Sequence, residues 1–242
     1  MKHVTLGSTG IVVSDLCLGG NVFGWSADVA ESHAVLDTFA DAGGTFVDTA
    51  DVYSEWHEGN VGGESETIIG DWMAARGNRD HVIVATKVAK LSSRPGLSAA
   101  NIAAACDDSL GRLRTDYIDI YYAHHDDTET PLEETLSAFD TLVQQGKVRC
   151  IAASNYTAPR LREALDTSRR LGLTEYRVVQ PEYNAVSRAQ FEGELQHLCV
   201  REAVAVLPYY AVARGLLTGK HSRALALPSV RPVDIAETDD QR

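Results

Sequence analysis

The sequence has little cysteine, and the cysteines it has follow no spacing pattern. Four are spread over 242 residues, and no two stand as a Cys-x-x-Cys pair, so neither a zinc knuckle nor a disulfide framework is indicated. The N-terminus lacks the long apolar region of a secretory signal, and no apolar run approaches the roughly 20 residues of a membrane span. These absences predict a cytoplasmic protein with no membrane association.

Blocks of basic residues are missing as well, and acids outnumber bases. The chain carries 34 Asp and Glu against 22 Lys and Arg, for a formal net charge of −12. A surface of this charge repels nucleic-acid backbones, so we predict a small-molecule partner and no nucleic acid. An anionic cofactor could bind only through local amides and a few placed cations.

Two common phosphate-binding motifs are also absent. No Gly-x-Gly-x-x-Gly follows a strand-like run, so Rossmann-type dinucleotide binding is not indicated. The run GLLTGKH, which begins at Gly215, is one residue short of a P-loop and has His221 where that motif has Ser or Thr. Neither motif therefore predicts a nucleotide site in this chain.

What the sequence does have is a regular alternation of apolar strand-like runs and helical runs. A hairpin that turns at residues 8–10 comes first, followed by a strand that ends at Gly19 and Gly20. The later predicted strands cover residues 45–48, 81–87, 117–124, 147–153, 177–180 and 204–208. The predicted helices cover residues 31–42, 64–76, 98–113, 131–145, 159–171 and 188–201, with Ser98 and Thr130 as N-caps.

Strands separated by helices in strict turn predict βαβ units and a parallel sheet. The predicted fold class is α/β, a (β/α)8 TIM-type barrel preceded by a β-hairpin. The count reaches about seven core strands where a closed barrel has about eight, so the barrel is expected to be incomplete at its C-terminal end. We assign one domain of about seven units to residues 1–220 and an irregular or disordered tail to residues 221–242.

Four polar residues stand at the end of a predicted strand or just after one: Asp48, Tyr53, Lys87 and His124. The ends of separate strands converge on one mouth of an α/β barrel, where catalytic groups gather. The Lys87 ammonium is expected to lower the pKa of the Tyr53 phenol, and Asp48 is expected to hold Lys87 charged. His124 could orient a substrate oxygen or relay its proton. Together the four suit protonation of a carbonyl oxygen.

Other interpretations of these residues stay open. Each of the four could be an ordinary cap, surface or core residue when taken alone. Lys87 could instead be the Schiff-base nucleophile of an aldolase, because a strand-end lysine in a parallel barrel can act in that way. His124 and His125, followed by two aspartates, suggest a metal site. Because adjacent strand residues point to opposite faces, no metal is predicted there.

A second set of polar residues ends the later strands: Ser154, Asn155, Gln180 and Tyr209. The Ser, Asn and Gln side chains can pair with both the carbonyl and the amine of a carboxamide. The Tyr209 ring could stack on a heteroaromatic face. The set is predicted to lie at the same end of the barrel as the first one.

At this point the chain resembles the aldo-keto reductases. The resemblance covers nearly everything from Val4 to Lys220 and is carried, in family order, by FVDTADVYS, GESETIIGDWM, VATKV, DYIDIYYAH, TPLEETLSAFDTLVQQGKVRCIAASNY, VVQPEYN and LPYYAVARGLLTGK. It implies a (β/α)8 barrel whose bottom is closed by the hairpin. It also implies reduction of aldehydes or ketones by hydride transfer from NADPH. Carried over by motif, the general acid is Tyr53, the tuning residues are Lys87 and Asp48, and the residue that orients the carbonyl is His124.

The same resemblance implies which residues hold the coenzyme and the substrate. The coenzyme set comprises Gly20 and Asn21 near the nicotinamide ribose, Asp48, then Ser154, Asn155 and Gln180 at the carboxamide, Tyr209 as stacking face, and Ala213, Gly215 and Leu217 along the pyrophosphate. The wall of the substrate pocket would comprise Trp25, Trp56 and His125.

The chain departs from the family pattern after Lys220, where no eighth strand and helix can be matched. In the family that segment grips the adenosine phosphate, so the choice of NADPH over NADH rests on the resemblance alone. The departure leaves a second hypothesis open, namely a coenzyme-binding or scaffold protein with weak or no catalysis. The natural substrate and the oligomeric state are not determined by the sequence.

Overall fold

The computed structural model describes residues 1–219, which contain a hairpin and a seven-stranded parallel sheet. The hairpin pairs β1 (His3–Thr5) with β2 (Val12–Ser14) in antiparallel register. The parallel strands are β3 (Cys17–Gly19), β4 (Phe46–Asp48), β5 (Ile83–Val88), β6 (Ile118–Ala123), β7 (Val148–Ser154), β8 (Val178–Gln180) and β9 (Ala205–Val206), and each pairs with the next in that order. The sheet and its helices form a partial (β/α)8 barrel, which confirms the predicted fold class. The predicted tail, residues 221–242, lies outside the described residues.

Within residues 1–219, six α-helices follow strands β3 to β8 in turn. They are α1 (Val29–Asp41), α2 (Glu64–Arg76), α3 (Ala99–Leu113), α4 (Leu132–Gln144), α5 (Ala158–Leu171) and α6 (Glu194–Glu202). None of the helices in residues 1–219 has the length and apolar content of a membrane span.

Local capping chemistry moved some helix ends away from their predicted positions. Helix α1 begins two residues early because Asp28 and Glu31 form a reciprocal capping box. The predicted Thr130 cap is wrong, because its hydroxyl donates to Asp127 and Pro131 occupies the cap position of α4. Helix α6 begins only at Glu194, since its cap residue is a glycine with a left-handed φ of 97°.

The strands separate two apolar layers because successive side chains point to opposite faces. In β5, Ala85 belongs to the inner layer, whereas Val84 and Val88 belong to the layer under the helices. The inner layer combines apolar residues of the strands with three from the hairpin region: Leu6, Ile11, Val13, Phe46, Ala85, Ile120, Tyr122, Cys150, Ala152 and Val178. The hairpin region therefore fills the barrel interior at the end where the strands begin, as the sequence led us to expect.

The hairpin turn also contacts the last described strand. The Ser8 hydroxyl donates to the Ala203 carbonyl at 3.3 Å. Gly7 has a φ of 52°, and a Cβ at that position would lie 2.9 Å from the Cβ of Ala205. This close approach requires glycine. The turn thus spans the bottom of the barrel as far as β9.

A buried polar cluster lies behind the sheet, under α2 and α3. Glu66 is fully buried and accepts hydrogen bonds from Thr86 Oγ1 at 2.5 Å and from Arg112 Nε at 2.6 Å. Asp51 is buried nearby, and neither of its carboxylate oxygens has a hydrogen-bond partner among the described residues. Burial, and then the Glu66 carboxylate, raise the pKa of Asp51 to about 7.

This raised pKa predicts a pH dependence of stability. Between about pH 4 and pH 7, Asp51 is protonated in the folded chain but ionised in the unfolded chain. The contribution of Asp51 to stability therefore falls as pH rises through that window. Asp51→Asn removes the titration. We expect the free energy of unfolding of wild type, relative to the variant, to fall by about 1–4 kcal/mol from pH 4 to pH 7. Urea unfolding at a series of pH values measures this difference.

A matched control is Asp41→Asn, since Asp41 is an exposed carboxylate at the end of α1. The difference in free energy of unfolding between Asp41→Asn and wild type is expected to stay constant over the same pH range. Parallel stability curves for wild type and Asp51→Asn would show that Asp51 does not hold the proton.

Candidate active site

The strand register brings five of the predicted site residues to the same end and the same face of the sheet. Each of the five lies two positions after an inner-layer residue of its strand, so its side chain points to the same inner face. The five are Asp48, Lys87, His124, Ser154 and Gln180. All five are buried polar side chains. Since the strands are parallel, their carboxyl ends meet at one mouth of the barrel. The site is therefore a direct product of period-two alternation.

Lys87 is the most deeply buried of these groups, with no exposed side-chain surface. Its Nζ donates to Asp48 Oδ2 at 2.6 Å, to the Thr49 carbonyl at 2.8 Å and to Tyr53 Oη at 2.9 Å. An ammonium has three N–H donors, and all three are used. With no lone pair free to attack a carbonyl, this arrangement does not favour the Schiff-base interpretation.

Tyr53 lies against this ion pair, and its hydroxyl donates to Asp48 Oδ2 at 3.3 Å. Burial, and then the Asp48 carboxylate, raise the pKa of the Tyr53 phenol well above 10. This is opposite to the sequence-based expectation that Lys87 lowers it. Because Asp48 lies 2.6 Å from the ammonium, it offsets most of the ammonium's field at the phenol, and burial disfavours the phenolate. The free site therefore holds Tyr53 as a neutral proton carrier.

His124 completes the group and is uncharged at neutral pH. Its ring lies edge-on to the Tyr53 ring, with 6.0 Å between centroids. Burial, followed by the charges of Lys87 and Lys90, lowers the pKa of His124 well below its ordinary value. Its Nδ1 is buried and has no hydrogen-bond partner in residues 1–219. A neutral imidazole can donate or accept one hydrogen bond at a substrate oxygen.

The predicted carboxamide set forms one connected network with these groups, because Ser154 Oγ donates to the Gln180 carbonyl and Asn155 Nδ2 donates to the His124 carbonyl, both at 2.9 Å. Gln180 Nε2 donates to Asp48 Oδ1 at 2.9 Å. Asn155 Nδ2 donates to Ser154 Oγ at 3.0 Å, and Tyr209 Oη donates to Asn155 Oδ1 at 2.7 Å. Gln180 retains one N–H and its carbonyl oxygen, and Asn155 Oδ1 retains a lone pair. The set therefore has both donors and acceptors to offer a carboxamide.

Gly20 forms the rim beside Asp48, and its N–H donates to the Asp48 carbonyl at 2.7 Å. A Cβ there would lie 2.8 Å from Ser65 Oγ and 3.2 Å from the Asp48 carbonyl oxygen, so a side chain does not fit. Glycine is therefore required here by the close packing of Ser65 and the Asp48 backbone against it. Asn21 follows it and is half-buried.

The predicted pyrophosphate loop is a 3-10 segment after β9, Ala213–Thr218. Within it, Ala213 has a φ of 49° and Gly215 a φ of 96°. The amides of Ala213, Gly215 and Leu217 donate to carbonyls of Tyr210 and Val212 inside the turn. The loop follows Tyr209, which contacts the site through Asn155. The three amide N–H groups of the loop already donate to backbone carbonyls.

The predicted pocket wall is only partly brought together. Trp25 and Trp56 are each about half exposed and meet edge-to-face at 5.6 Å, and Trp56 lies 6.3 Å from the Tyr53 ring. His125 Nδ1 instead contacts the Asp126 carbonyl at 2.5 Å. The indole pair is thus the aromatic surface beside Tyr53. The His125 ring contacts the backbone of the next residue and, within residues 1–219, has no recorded contact with the indole pair.

Sequence reasoning missed the residues that hold the Tyr53 loop in place. Ser54 is buried with a φ of 73°, and its hydroxyl donates to the Phe23 carbonyl at 2.7 Å. Asn60 Nδ2 donates to the carbonyls of Gly24 and Ser54, both at 2.9 Å. These bonds join segments up to 36 residues apart, and no local sequence signal identifies them. Within residues 1–219, no three His, Cys, Asp or Glu side chains group in a way that could hold a metal ion.

Comparison with known proteins gives matches along most of the chain. A family model described as the aldo/keto reductase family matches residues 15–234. The chain is 36% identical over 228 residues to a probable voltage-gated potassium channel subunit beta of Oryza sativa subsp. japonica, covering 92% of this chain and 67% of that protein. It is 37% identical over 223 residues to the norsolorinic acid reductase stcV of Emericella nidulans, covering 85% and 56%.

An aryl-alcohol dehydrogenase [NADP(+)] of Phanerodontia chrysosporium is 34% identical over 227 residues, covering 85% of this chain and 57% of that protein. The chain therefore spans between about half and about two thirds of the length of these relatives. The match to the family model and the identities over most of the described barrel agree with one another. This chain belongs to the aldo/keto reductase family.

Proposed function

We propose that this protein is an NADPH-dependent oxidoreductase that reduces aldehydes or ketones to alcohols, with Tyr53 as the general acid. The observation that carries the proposal is the contact of Tyr53 Oη with the buried Asp48–Lys87 ion pair. A neutral phenol at that position can give its proton to a carbonyl oxygen. The Lys87 ammonium, 2.9 Å away, then stabilises the phenolate that remains.

The residues at the mouth fit a nicotinamide coenzyme, which supplies the hydride when it is bound. Gln180 offers a free N–H, and Ser154, Asn155 and Gln180 offer acceptor oxygens, so the set can pair with a carboxamide. Gly20 lies beside Asp48, since its N–H donates to the Asp48 carbonyl at 2.7 Å, and the ribose would come close to it. Tyr209 would give the ring a stacking face, and the loop of Ala213, Gly215 and Leu217, with Asn21 across the mouth, would follow the phosphates and ribose. The choice of NADPH over NADH draws on the family and on one relative whose printed name includes NADP(+).

We infer aromatic carbonyl compounds as the substrate class. The Trp25–Trp56 pair presents half-exposed indole rings next to the proton donor. Aromatic rings favour edge-to-face and offset contacts with one another. Two relatives carry printed names that refer to an aryl alcohol and to norsolorinic acid. The neutral His124 ring would hold the carbonyl oxygen toward Tyr53.

A scaffold function without turnover is the second candidate. It is favoured by the printed name of the Oryza sativa relative, a probable voltage-gated potassium channel subunit beta. Calorimetric titration with NADPH, followed by an aldehyde-reduction assay on the same preparation, separates the two candidates. Coenzyme binding with turnover supports the oxidoreductase. The scaffold is supported if NADPH binds but no tested aldehyde is reduced, or if NADPH does not bind at millimolar concentration.

The central test is Tyr53→Phe. We expect the rate of 4-nitrobenzaldehyde reduction, followed by NADPH absorbance, to fall about 10²- to 10⁴-fold, because the general acid is lost. Binding of NADPH should change little, since Asp48 and Lys87 still neutralise each other. Tyr121→Phe is the control, because its buried hydroxyl lies in β6 on the helix side and has no partner in the described residues. Full activity in Tyr53→Phe would remove Tyr53 from the mechanism.

The pKa shifts predict a flat pH profile. Tyr53 stays protonated below its raised pKa, and His124 stays neutral above its lowered one. The single-turnover rate of hydride transfer should therefore be constant from about pH 7 to pH 9. A decline with a midpoint inside that range would mean that Lys87 does lower the pKa of the phenol in the working enzyme.

A further inference from the structure

Almost every lysine and arginine in residues 1–219 forms an ion pair with a carboxylate. The exceptions are Lys2, Lys90 and Arg214, none of which has a carboxylate partner within the described part of the chain. In a protein with a net charge of −12, an unpaired cation is the unusual case. Its position therefore indicates where an anion could be received.

The three unpaired cations differ in where they lie. Lys2 precedes the hairpin at the bottom of the barrel, away from the mouth. Arg214 lies with its guanidinium 4.6 Å from the centre of the Tyr210 ring, in the loop proposed for the coenzyme. Lys90 lies two residues beyond the end of β5, the strand that carries Lys87, and its side chain is exposed. Lys90 is thus the cation at the mouth with neither a carboxylate nor an aromatic partner among the described residues.

The backbone around Lys90 holds it at this rim. Ala89 is fully buried and has a φ of 116°, a conformation that residues with a side chain rarely adopt. Its carbonyl accepts the Gly96 N–H at 2.9 Å, and Leu91 on the other side of Lys90 is also buried. Strained backbone that the surrounding structure enforces is concentrated at functional sites. The two buried neighbours leave Lys90 as the group that faces solvent.

Lys90 is also close to the reacting groups. The backbone N–H of His124 donates to the backbone carbonyl of Val88, two residues before Lys90, at 2.9 Å. The charge of Lys90 is near enough to the His124 ring to contribute to the lowered pKa of that imidazole. Lys90 in turn has its own pKa lowered, first by partial desolvation and then by the Lys87 ammonium. The pairing of Val88 with Ala123 and the hydrogen bond between His124 and Val88 place the backbone that leads to Lys90 on the His124 side of the mouth.

We propose that Lys90 binds an anionic substituent of the carbonyl substrate, a carboxylate being the simplest case. The inference rests on the proposed function, because it concerns the substrate of that same site. An acidic protein repels an anionic substrate unless a local cation offsets the field. Lys90 supplies that cation beside His124, the residue assigned to the carbonyl oxygen. An aldehyde that carries a carboxylate is therefore preferred over its uncharged ester.

The test compares 4-carboxybenzaldehyde with its methyl ester, which keeps the aromatic ring and removes the charge. The measured quantity is the ratio of kcat/KM for the acid to kcat/KM for the ester. We expect Lys90→Gln to lower this ratio about 10-fold, mainly through KM for the acid, because one charge-assisted contact is lost. Lys90→Arg should restore most of the ratio. Added salt should weaken the preference of wild type for the acid.

Lys2→Gln is the matched control, since it removes an unpaired lysine far from the mouth and lowers the net charge by the same amount. Its ratio is expected to equal that of wild type. An unchanged ratio in Lys90→Gln overturns the proposal. So does an equal loss on both aldehydes together with a raised KM for NADPH, which would assign Lys90 to the coenzyme.

Failure of the proposed function would look different, because wild type would then reduce neither aldehyde. In that case binding replaces turnover as the measurement. Calorimetric titration of wild type with 4-(hydroxymethyl)benzoate in the presence of NADP+ should show binding that Lys90→Gln weakens about 10-fold. Equal binding in the two proteins, or none in wild type, overturns the inference.

Discussion

The buried ion pair between Asp48 and Lys87 is the interaction on which the site depends. Removing two charges from water is costly, and only close contact with further hydrogen bonds offsets that cost. Here Asp48 accepts from Lys87, Tyr53 and Gln180, while Lys87 also donates to the Thr49 carbonyl. Because these groups come from β4, β5, β8 and the loop after β4, the pair ties three strand ends together. Loss of either partner would leave an uncompensated charge at the mouth.

The same pair sets the protonation state of the catalytic candidates. Lys87 alone would favour the Tyr53 phenolate, but Asp48 offsets its field and burial adds to the effect. His124 remains neutral for a related reason, since burial and nearby cations both disfavour imidazolium. The site therefore holds a neutral phenol and a neutral imidazole beside an ion pair with no net charge. No group of the site therefore has to change its protonation state before a neutral carbonyl compound binds.

Beyond this cavity, the distribution of charge distinguishes the mouth from the rest of the surface. Most cations elsewhere in the described barrel are paired with acids, as in Arg160 with Asp126. Behind the sheet, Arg112 neutralises Glu66 and leaves Asp51 to hold a proton. The strained turn at Ala89 leaves Lys90 exposed at the rim, where it has no carboxylate partner in residues 1–219. On our proposal, this unpaired cation favours anionic ligands at the mouth.

The sequence alone determined the layering of the barrel and which polar residues end its strands. Apolar runs with period two fixed which residues face inward, so Asp48, Lys87 and His124 had to end their strands on one face. Helix ends such as that of α4 were less well determined, because Thr130 and Asp127 could satisfy each other instead of the helix. Only the tertiary structure decided the direction of the Tyr53 pKa shift and the contact of Gln180 with Asp48, 132 residues away. The physical reason is that burial and electric fields depend on groups brought together by folding, whereas local sequence specifies only the face and the end of each element.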